Sequence, residues 1–314
     1  MDKQNPKVVI VGSFNMDLVV QAGRRPQTGE TLMGKEFDMF IGGKGSNQAI
    51  AAARLGADVT MIGRLGTDLF GDTLMAAHAE EGICTNNVVR DTEAGTGVAS
   101  ILIDADGDNS IVLVPQANMR LNVEDIERAS ASIAAADVLL LQLEVPISTS
   151  QRAAEIAKSN GATVVLNPAP AQELPDDFLA QVDILTPNEV ETESLSGVRV
   201  SITTDAERAA KVLLDKGLSA VILTLGERGA LLLTSDLTQQ VPAYTVEVVD
   251  TTAAGDAFCG ALATALARGD NLVDAVAFAN AAGALAVTVL GAAPSMPTTV
   301  QVEAFRRGHN EAQY

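Results

Sequence analysis

The feature that most constrains the fold is an alternation in the middle of the chain. Short apolar runs at Val138–Leu143, Thr163–Leu166, Val182–Leu185 and Ala220–Leu225 are separated by segments of helical pattern at Thr149–Ser159, Asn188–Leu195 and Ala206–Lys216. The runs are continuous rather than alternating, as in strands buried on both faces. Strands joined through helices pair in parallel, by right-handed crossovers. The expectation is an α/β fold, with a central mostly parallel sheet and helices on both faces. Val8–Val11 and Val59–Ile62 read as further strands, with a helix at Gly45–Leu55 ending at Gly56. Two Ala-rich helices, Ala253–Arg268 and Leu272–Val289, would complete one face.

Four segments do not suit that sheet. Asp17–Ala22, Thr31–Phe40, Thr96–Ile103 and Ser110–Val114 are β-rich with no helix between paired members, and Asp106-Gly107-Asp108 is a hairpin signal. They predict a small second sheet over the pocket, a discontinuous lid from about 14–40 and 96–115 on a single domain spanning 1–314. No repeat or Pro-rich linker divides the chain.

Composition narrows the function. Hydrophobic residues are 47% of the chain, enough for a large core, but aromatics are only 3% and Trp is absent. Packing must therefore rest on Ala, Val, Leu and Ile. The formal net charge of −19 argues against nucleic acid and anionic membranes as partners. An anionic small molecule could still bind locally, at backbone amides and a few cations. The two cysteines, Cys84 and Cys259, form no CxxC, and with only two histidines a zinc site is not expected. Reduced thiols suit the cytoplasm. The opening MDKQNPKVVIVG has no signal-peptide pattern, and the apolar runs are too broken for a membrane span.

The polar motifs fall just after predicted strands or at helix starts, the edge where open α/β sheets bind ligands. Asp250-Thr251-Thr252-Ala253-Ala254-Gly255-Asp256 precedes an apolar helix. Free amides at such a start would stabilise a phosphoryl oxyanion, with Asp256 as general base; plain helix capping is the alternative. Gly42-Gly43-Lys44-Gly45-Ser46-Asn47-Gln48-Ala49 opens another helix, and is neither a Walker A loop nor a dinucleotide fingerprint. It reads as a close backbone approach to a ligand, with Lys44 and Asn47 as donors, or as a turn before a helix. Gly12-Ser13-Phe14-Asn15-Met16-Asp17 offers Asn15 and Asp17 to a polyol, or forms an Asx turn. Asn188-Glu189-Val190-Glu191 offers oxygens to Mg²⁺ through water, or caps its helix. Thr224-Leu225-Gly226-Glu227-Arg228-Gly229 suits a nucleotide-facing turn or an ordinary one, and Glu144 adds a carboxylate at a strand end. Jointly they point to phosphoryl transfer to a small polar molecule.

In order along the chain, these motifs, with LNPAPAQELP, DILTPNEVE, LTLGERG and GAAPSMP, resemble the ribokinase-type carbohydrate kinase family over essentially the whole length. The pairing of GGKGxNQA with DTxAAGD is its most specific mark. The resemblance implies transfer of the ATP γ-phosphate to the 5-hydroxyl of ribose, and a β-lid that also clasps a homodimer. It implies that Asn15, Asp17, Gly43, Lys44, Asn47 and Glu144 hold the sugar. Asp256 would be the base, and the amides of Ala253, Ala254, Gly255 and Asp256 the anion hole. Asn188 and Glu191 would serve the Mg²⁺–phosphate side, and Thr224, Gly226 and Gly229 would line the ATP site. Asp250, Thr252, Ala286, Val289, Gly291 and Ser295 would belong to a monovalent-cation site, usually K⁺. Two positions depart from the pattern: Asn280 stands near the nucleotide where His is frequent, and Val289 where a basic residue is frequent.

Other readings stay open on the sequence. A related kinase could take deoxyribose, fructose or a nucleoside, although two Tyr, eight Phe and no Trp give little sign of a base-stacking wall. A sugar-binding regulator without catalysis should have lost the base or the anion hole, and both are present.

Overall fold

The computed structural model describes residues 5–311; the first four residues of the polar opening lie outside them. The strands are β1 (Lys7–Val11), β2 (Asn15–Gln21), β3 (Glu36–Gly42), β4 (Asp58–Gly66), β5 (Cys84–Asp91), β6 (Gly97–Ile103), β7 (Asn109–Val114), β8 (Val138–Leu141), β9 (Thr163–Leu166), β10 (Ile184–Leu185), β11 (Ala220–Thr224), β12 (Ala230–Leu233) and β13 (Thr238–Val241). Nine form the main sheet, in the order β13-β12-β11-β10-β9-β8-β1-β4-β5. It is parallel from β11 through to β5, and the β11-β12-β13 edge is antiparallel.

The period of two along each strand divides the core. Val8 and Ile10 pack on one face, with Ala257, Ala261 and Ala279 from the helices Ala254–Ala267 and Leu272–Ala286. Val9 and Val11 pack on the other, with Ile126, Ala153 and Ala210. The continuous apolar runs are therefore buried on both faces, as expected.

Small residues fix how the helices sit. A Cβ at Gly260 would collide with the Ala51 side chain and the Gln48 carbonyl, so glycine lets Ala254–Ala267 lie directly on the helix Lys44–Arg54. Thr264 Oγ1 reaches the Ala52 carbonyl at 3.5 Å on the same seam. This close approach brings Asp256 beside Asn47 and Gln48.

The remaining four strands form the second sheet, in the order β3-β2-β6-β7. Its β2–β6 pair is parallel and its outer pairs antiparallel. Asp104–Asp108 closes the expected hairpin, with Gly107 at φ 85°. The expected Thr31–Phe40 strand starts only at Glu36, because pairing to β2 ends where the Lys35 amide meets the Gln21 carbonyl. Phe37, Met39, Ile111 and Val112 are each more than half exposed on this sheet.

Several elements were silent in the sequence. β5 is a sheet edge of mixed burial, without a continuous apolar run. The helix Leu69–Glu80 starts at Asp68, whose side chain accepts from the Gly71 amide at 2.8 Å.

Candidate active site

Most groups singled out in the sequence lie near the carboxyl ends of the parallel strands or at the helix starts beside them; Asn280 and Ala286 lie instead within the helix Leu272–Ala286, and Asp17 on β2 of the second sheet. β1 ends at Val11, and Gly12–Phe14 turns the chain into the second sheet. A Cβ at Gly12 or at Gly45 would meet the backbone of the facing turn, and one at Gly43 (φ 90°) would meet the Phe14–Asn15 backbone. Glycine at these positions lets the Gly12–Asp17 turn and the helix start at Lys44 touch backbone to backbone. Glu144, just beyond β8, fastens both, accepting from Ser13 Oγ and, at 3.0 Å, from the Lys44 amide.

Asp256 lies in the first turn of Ala254–Ala267 and is almost fully buried. Its Oδ2 accepts from Asn47 Nδ2 at 3.0 Å and its Oδ1 from Gln48 Nε2 at 2.9 Å. Burial raises its pKa; Lys44, Gln48 and Asn47 pull the other way, Glu144 adds to the rise, and the net is upward. Such a carboxylate has the raised basicity a general base needs.

Lys44 makes no side-chain hydrogen bond or ion pair among the described residues. Burial works against its charge, but Asp256, Glu144 and Glu191 outweigh it and hold the pKa above the ordinary value. Asp17 lies with its carboxylate against the Gly42 α-carbon, where a side chain would collide. Burial, then Glu144, then Asp256 push its pKa up to about 7.

The helix start behind Asp256 is open. Ala253, its N-cap, has a left-handed backbone (φ 59°) and gives no side-chain cap. First-turn amides have no carbonyl one turn back, so those of Gly255 and Asp256 are left for an anion. A Cβ at Gly255 would meet no protein atom within 4 Å.

The Asn188 side is closed instead. Its Oδ1 accepts the Glu191 amide at 2.9 Å, and the Glu191 carboxylate takes the Asn188 amide at 2.9 Å and its Nδ2 at 3.0 Å. This is a capping box, the structural alternative read above. Burial raises the Glu191 pKa.

Thr224, at the end of β11, donates its amide to the Pro187 carbonyl at 2.9 Å, joining its turn to this helix start. Gly226 (φ 56°) and Gly229 (φ 83°) shape the turn, and a Cβ at Gly229 would strike Val241–Ala243. Asn280 reaches the same place, its Nδ2 donating to the carbonyls of Val241 and Pro242 at 3.1 Å each. Its amide is therefore engaged with backbone.

The loops at 250–252 and 286–295 meet through Asp250, which accepts the Thr252 and Gly291 amides at 2.9 Å each. Burial would raise the Asp250 pKa, but the Thr252 side chain and these two amides outweigh it and hold the value down. The Val289 amide donates to the Ala286 carbonyl at 3.2 Å, and Ser295 Oγ to the Ala292 carbonyl at 2.7 Å. A methyl on Gly291 would come within 3.3 Å of Phe40, so β3 touches this loop.

Sequence reasoning missed several supports. Asn118 copies a strand pairing with its side chain: Oδ1 takes the Phe14 amide at 2.9 Å, and Nδ2 gives to the Phe14 carbonyl at 2.8 Å and to Asn15 Oδ1 at 3.0 Å. Gln142 and Asn167, just past β8 and β9, bond to Gln48. Gln48 and Asn167 stood in motifs, though with no role attached; Gln142 and Asn118 become visible only in the folded chain.

The model of the pfkB family of carbohydrate kinases matches residues 5–299. A ribokinase of Haemophilus influenzae is 43% identical over 298 residues, 95% of this chain and 97% of that protein. A deoxyribokinase of Salmonella typhi is 38% identical, over 95% and 98%. The structure of Arabidopsis thaliana ribokinase complexed with ribose and ATP superposes with a TM-score of 0.90 at 33% identity, over 96% of this chain and 99% of that one.

Proposed function

The chain belongs to the pfkB family of carbohydrate kinases, and from that premise we propose that it transfers the γ-phosphoryl group of ATP to the 5-hydroxyl of D-ribose, giving ribose 5-phosphate. The observation that carries the proposal is one juxtaposition: a buried carboxylate, Asp256, on a helix whose first-turn amides are open, with Lys44 among the neighbouring charges.

In this reading the sugar lies between the main sheet and the lid, with its ring hydroxyls on Asn15, Asp17, the Gly43 backbone, Lys44, Asn47 and Glu144. Asp256 accepts the 5-hydroxyl proton as the oxygen attacks the γ-phosphorus. Developing charge on the phosphoryl oxygens falls on the amides of Gly255 and Asp256 within the expected Ala253–Asp256 stretch, the Ala254 amide being turned to the Thr251 carbonyl at 3.3 Å. Thr224, Gly226, Gly229 and the Asn280 region form the ATP side. Lid closure excludes water, which suppresses wasteful hydrolysis.

Among the described residues, no three of His, Cys, Asp and Glu cluster as a metal centre. The residues fit Mg²⁺ carried by the nucleotide phosphates: Glu191 already accepts two bonds from Asn188 and would reach the ion through water. Such an ion neutralises charge on the phosphates. A carboxylate with a depressed pKa beside carbonyl-rich loops fits a monovalent cation, K⁺, at Asp250, Thr252, Ala286, Val289, Gly291 and Ser295. The exposed apolar side chains of the lid support a homodimer through that sheet, and ATP use with two free thiols supports a cytoplasmic setting.

The test is ADP release with ATP, Mg²⁺ and K⁺ across ribose, deoxyribose, fructose and adenosine. Ribose should give the highest kcat/KM. The similarity to a deoxyribokinase makes deoxyribose the second reading, and preference for it would move the substrate while keeping the chemistry. Sugar binding without turnover would overturn the kinase.

A further inference from the structure

Donor and acceptor chemistry around Asp256 leaves one arrangement of side-chain amides. A carboxylate only accepts, so Gln48 must turn its Nε2 toward Asp256 Oδ1, at 2.9 Å. Its Oε1 then faces Gln142, which must present its own Nε2, at 2.5 Å. The same Gln48 Nε2 gives to Asn167 Oδ1 at 3.2 Å, and Asn167 is held that way round because its Nδ2 donates to the Thr186 carbonyl at 3.1 Å. Gln142 follows β8, Asn167 follows β9 and Thr186 follows β10. Two adjacent strand ends thus meet the Gln48 amide directly, and a third holds Asn167. Gln48 and Gln142 are fully buried, and Gln142 Oε1 is left without a partner over the Gly12 α-carbon. A buried amide that keeps an unpaired oxygen costs stability, so its other end needs a reason to be polar.

We propose that Gln142 and Gln48 form a positioning relay for the base, in which Gln142 locks the Gln48 amide so that it holds the Asp256 carboxylate toward the acceptor hydroxyl. The relay rests on the reading of Asp256 as base. Asn47 holds the other oxygen but also belongs to the proposed sugar set, so it cannot separate alignment from binding. Gln48 and Gln142 lie outside that set. Their loss should therefore act on turnover more than on sugar affinity. It should also make the carboxylate easier to protonate, because a donor that favours the charged form is gone. The titratable groups facing Asp256 stay in place: Lys44 from the helix Lys44–Arg54, Glu144 beyond β8, Asp17 on β2, Glu191, and Cys259 on the same helix as Asp256.

The experiment compares Gln48→Met, Gln142→Met, their double variant and Asp256→Asn, with kcat and the ribose KM measured from pH 5 to 9. Gln48→Met should lose about 10- to 100-fold in kcat through misalignment. Its KM should change less than about threefold, as expected when an interaction acts in the transition state. The acid limb of its kcat profile should move upward by about one pH unit, from loss of a bond to a charged group. Gln142→Met should move the same readouts in the same direction by less. The double variant should be no worse than Gln48→Met, because Gln142 acts through Gln48. If Gln48→Met does not fold, Gln142→Met alone carries the test through its limb and its kcat-to-KM split. An unmoved acid limb, a change confined to KM, or full additivity in the double variant would overturn the relay. Near-normal turnover in Asp256→Asn would instead overturn the base itself.

Discussion

Two helix starts offered the same kind of signal, a polar or acidic residue in the first turn, and they are built in opposite ways. Glu189–Ser196 is closed: Asn188 and Glu191 satisfy each other's amides. Ala254–Ala267 is open: its cap is Ala253, which has no side-chain oxygen and a left-handed backbone. Alanine in place of a good cap costs about 0.5–2 kcal/mol. The left-handed conformation adds roughly 1–2 kcal/mol for a residue with a Cβ. Self-satisfied amides are no longer available to a ligand, so a helix start serves either stability or anion binding. The open one is tolerated because the helix behind it is packed tightly on Lys44–Arg54 at Gly260.

The largest effect that could break this contrast is loss of the proposed base at the open start. Asp256→Asn keeps the size and the Gln48 and Asn47 neighbours, and should lower kcat by at least ~10²–10⁴-fold, the range of general-base catalysis. Steady-state ADP release checks it, and turnover near that of the unaltered enzyme would remove the functional meaning of the open start. Next comes Gly255→Ala. The added methyl meets no protein atom and alanine is the better helix former, so the fold should gain up to ~0.5–1 kcal/mol. The same methyl stands beside the amides proposed to receive the phosphoryl group, and kcat should then fall by roughly 10²-fold, as on weakening an oxyanion donor. A variant more stable and less active sharpens the contrast; one unchanged in turnover contradicts it.

How much of this was legible in the sequence depends on whether the signal was local. The parallel core was, because strands buried on both faces read as continuous apolar runs such as Val138–Leu141. Edge strand β5 was not, because an edge has no such run. Both helix starts were legible as motifs, and so was the identity of each cap residue. What packs behind the open start was not legible, because Gln48 and Asp256 stand 208 residues apart in sequence. Gln142 and Asn118 carry ordinary amides in unremarkable surroundings, and Asn167 stands in LNPAPAQELP with no local sign of its partner. Their partners are set by strand register and by the 3₁₀ turn Gln116–Arg120, so no spacing along the chain announces them.

A smaller effect comes from the charges around the open start. Asp17 is pushed to about 7, by burial first and then by Glu144 and Asp256. If it receives sugar hydroxyls as a carboxylate, kcat/KM for ribose should fall about tenfold per pH unit below that value, since kcat/KM reports the free enzyme. The linkage has the opposite sense. A carboxyl with a raised folded pKa contributes stability that is full below its ordinary value of 3.8 and is lost as pH rises through about 7. Asp17→Asn should therefore raise the Tm of the free enzyme at pH 8, by about 1–2 °C per kcal/mol relieved, while weakening ribose binding. A flat kcat/KM between pH 5 and 8 would contradict the Asp17 assignment.

The smallest effect tests the closed start. Glu191→Ala removes one half of the capping box and leaves Asn188 in place. If that start serves stability, the loss should be about 0.5–2 kcal/mol, the scale of a helix cap. In a chain of this size that lowers Tm by about 1–2 °C for each kcal/mol. At saturating Mg²⁺, kcat should stay within about threefold, because a carboxylate that meets the ion only through water is replaceable by more water. Below saturation, a higher Mg²⁺ requirement would register the water-mediated contact separately from the cap. The informative failure is the reverse pattern, an unchanged Tm with kcat down by orders of magnitude at saturating Mg²⁺. The capping box would then have to open during turnover, with Glu191 exchanging its bond from the Asn188 amide for a bond to the metal. Both helix starts would then be anion or cation receptors, differing only in which one is closed before substrate arrives.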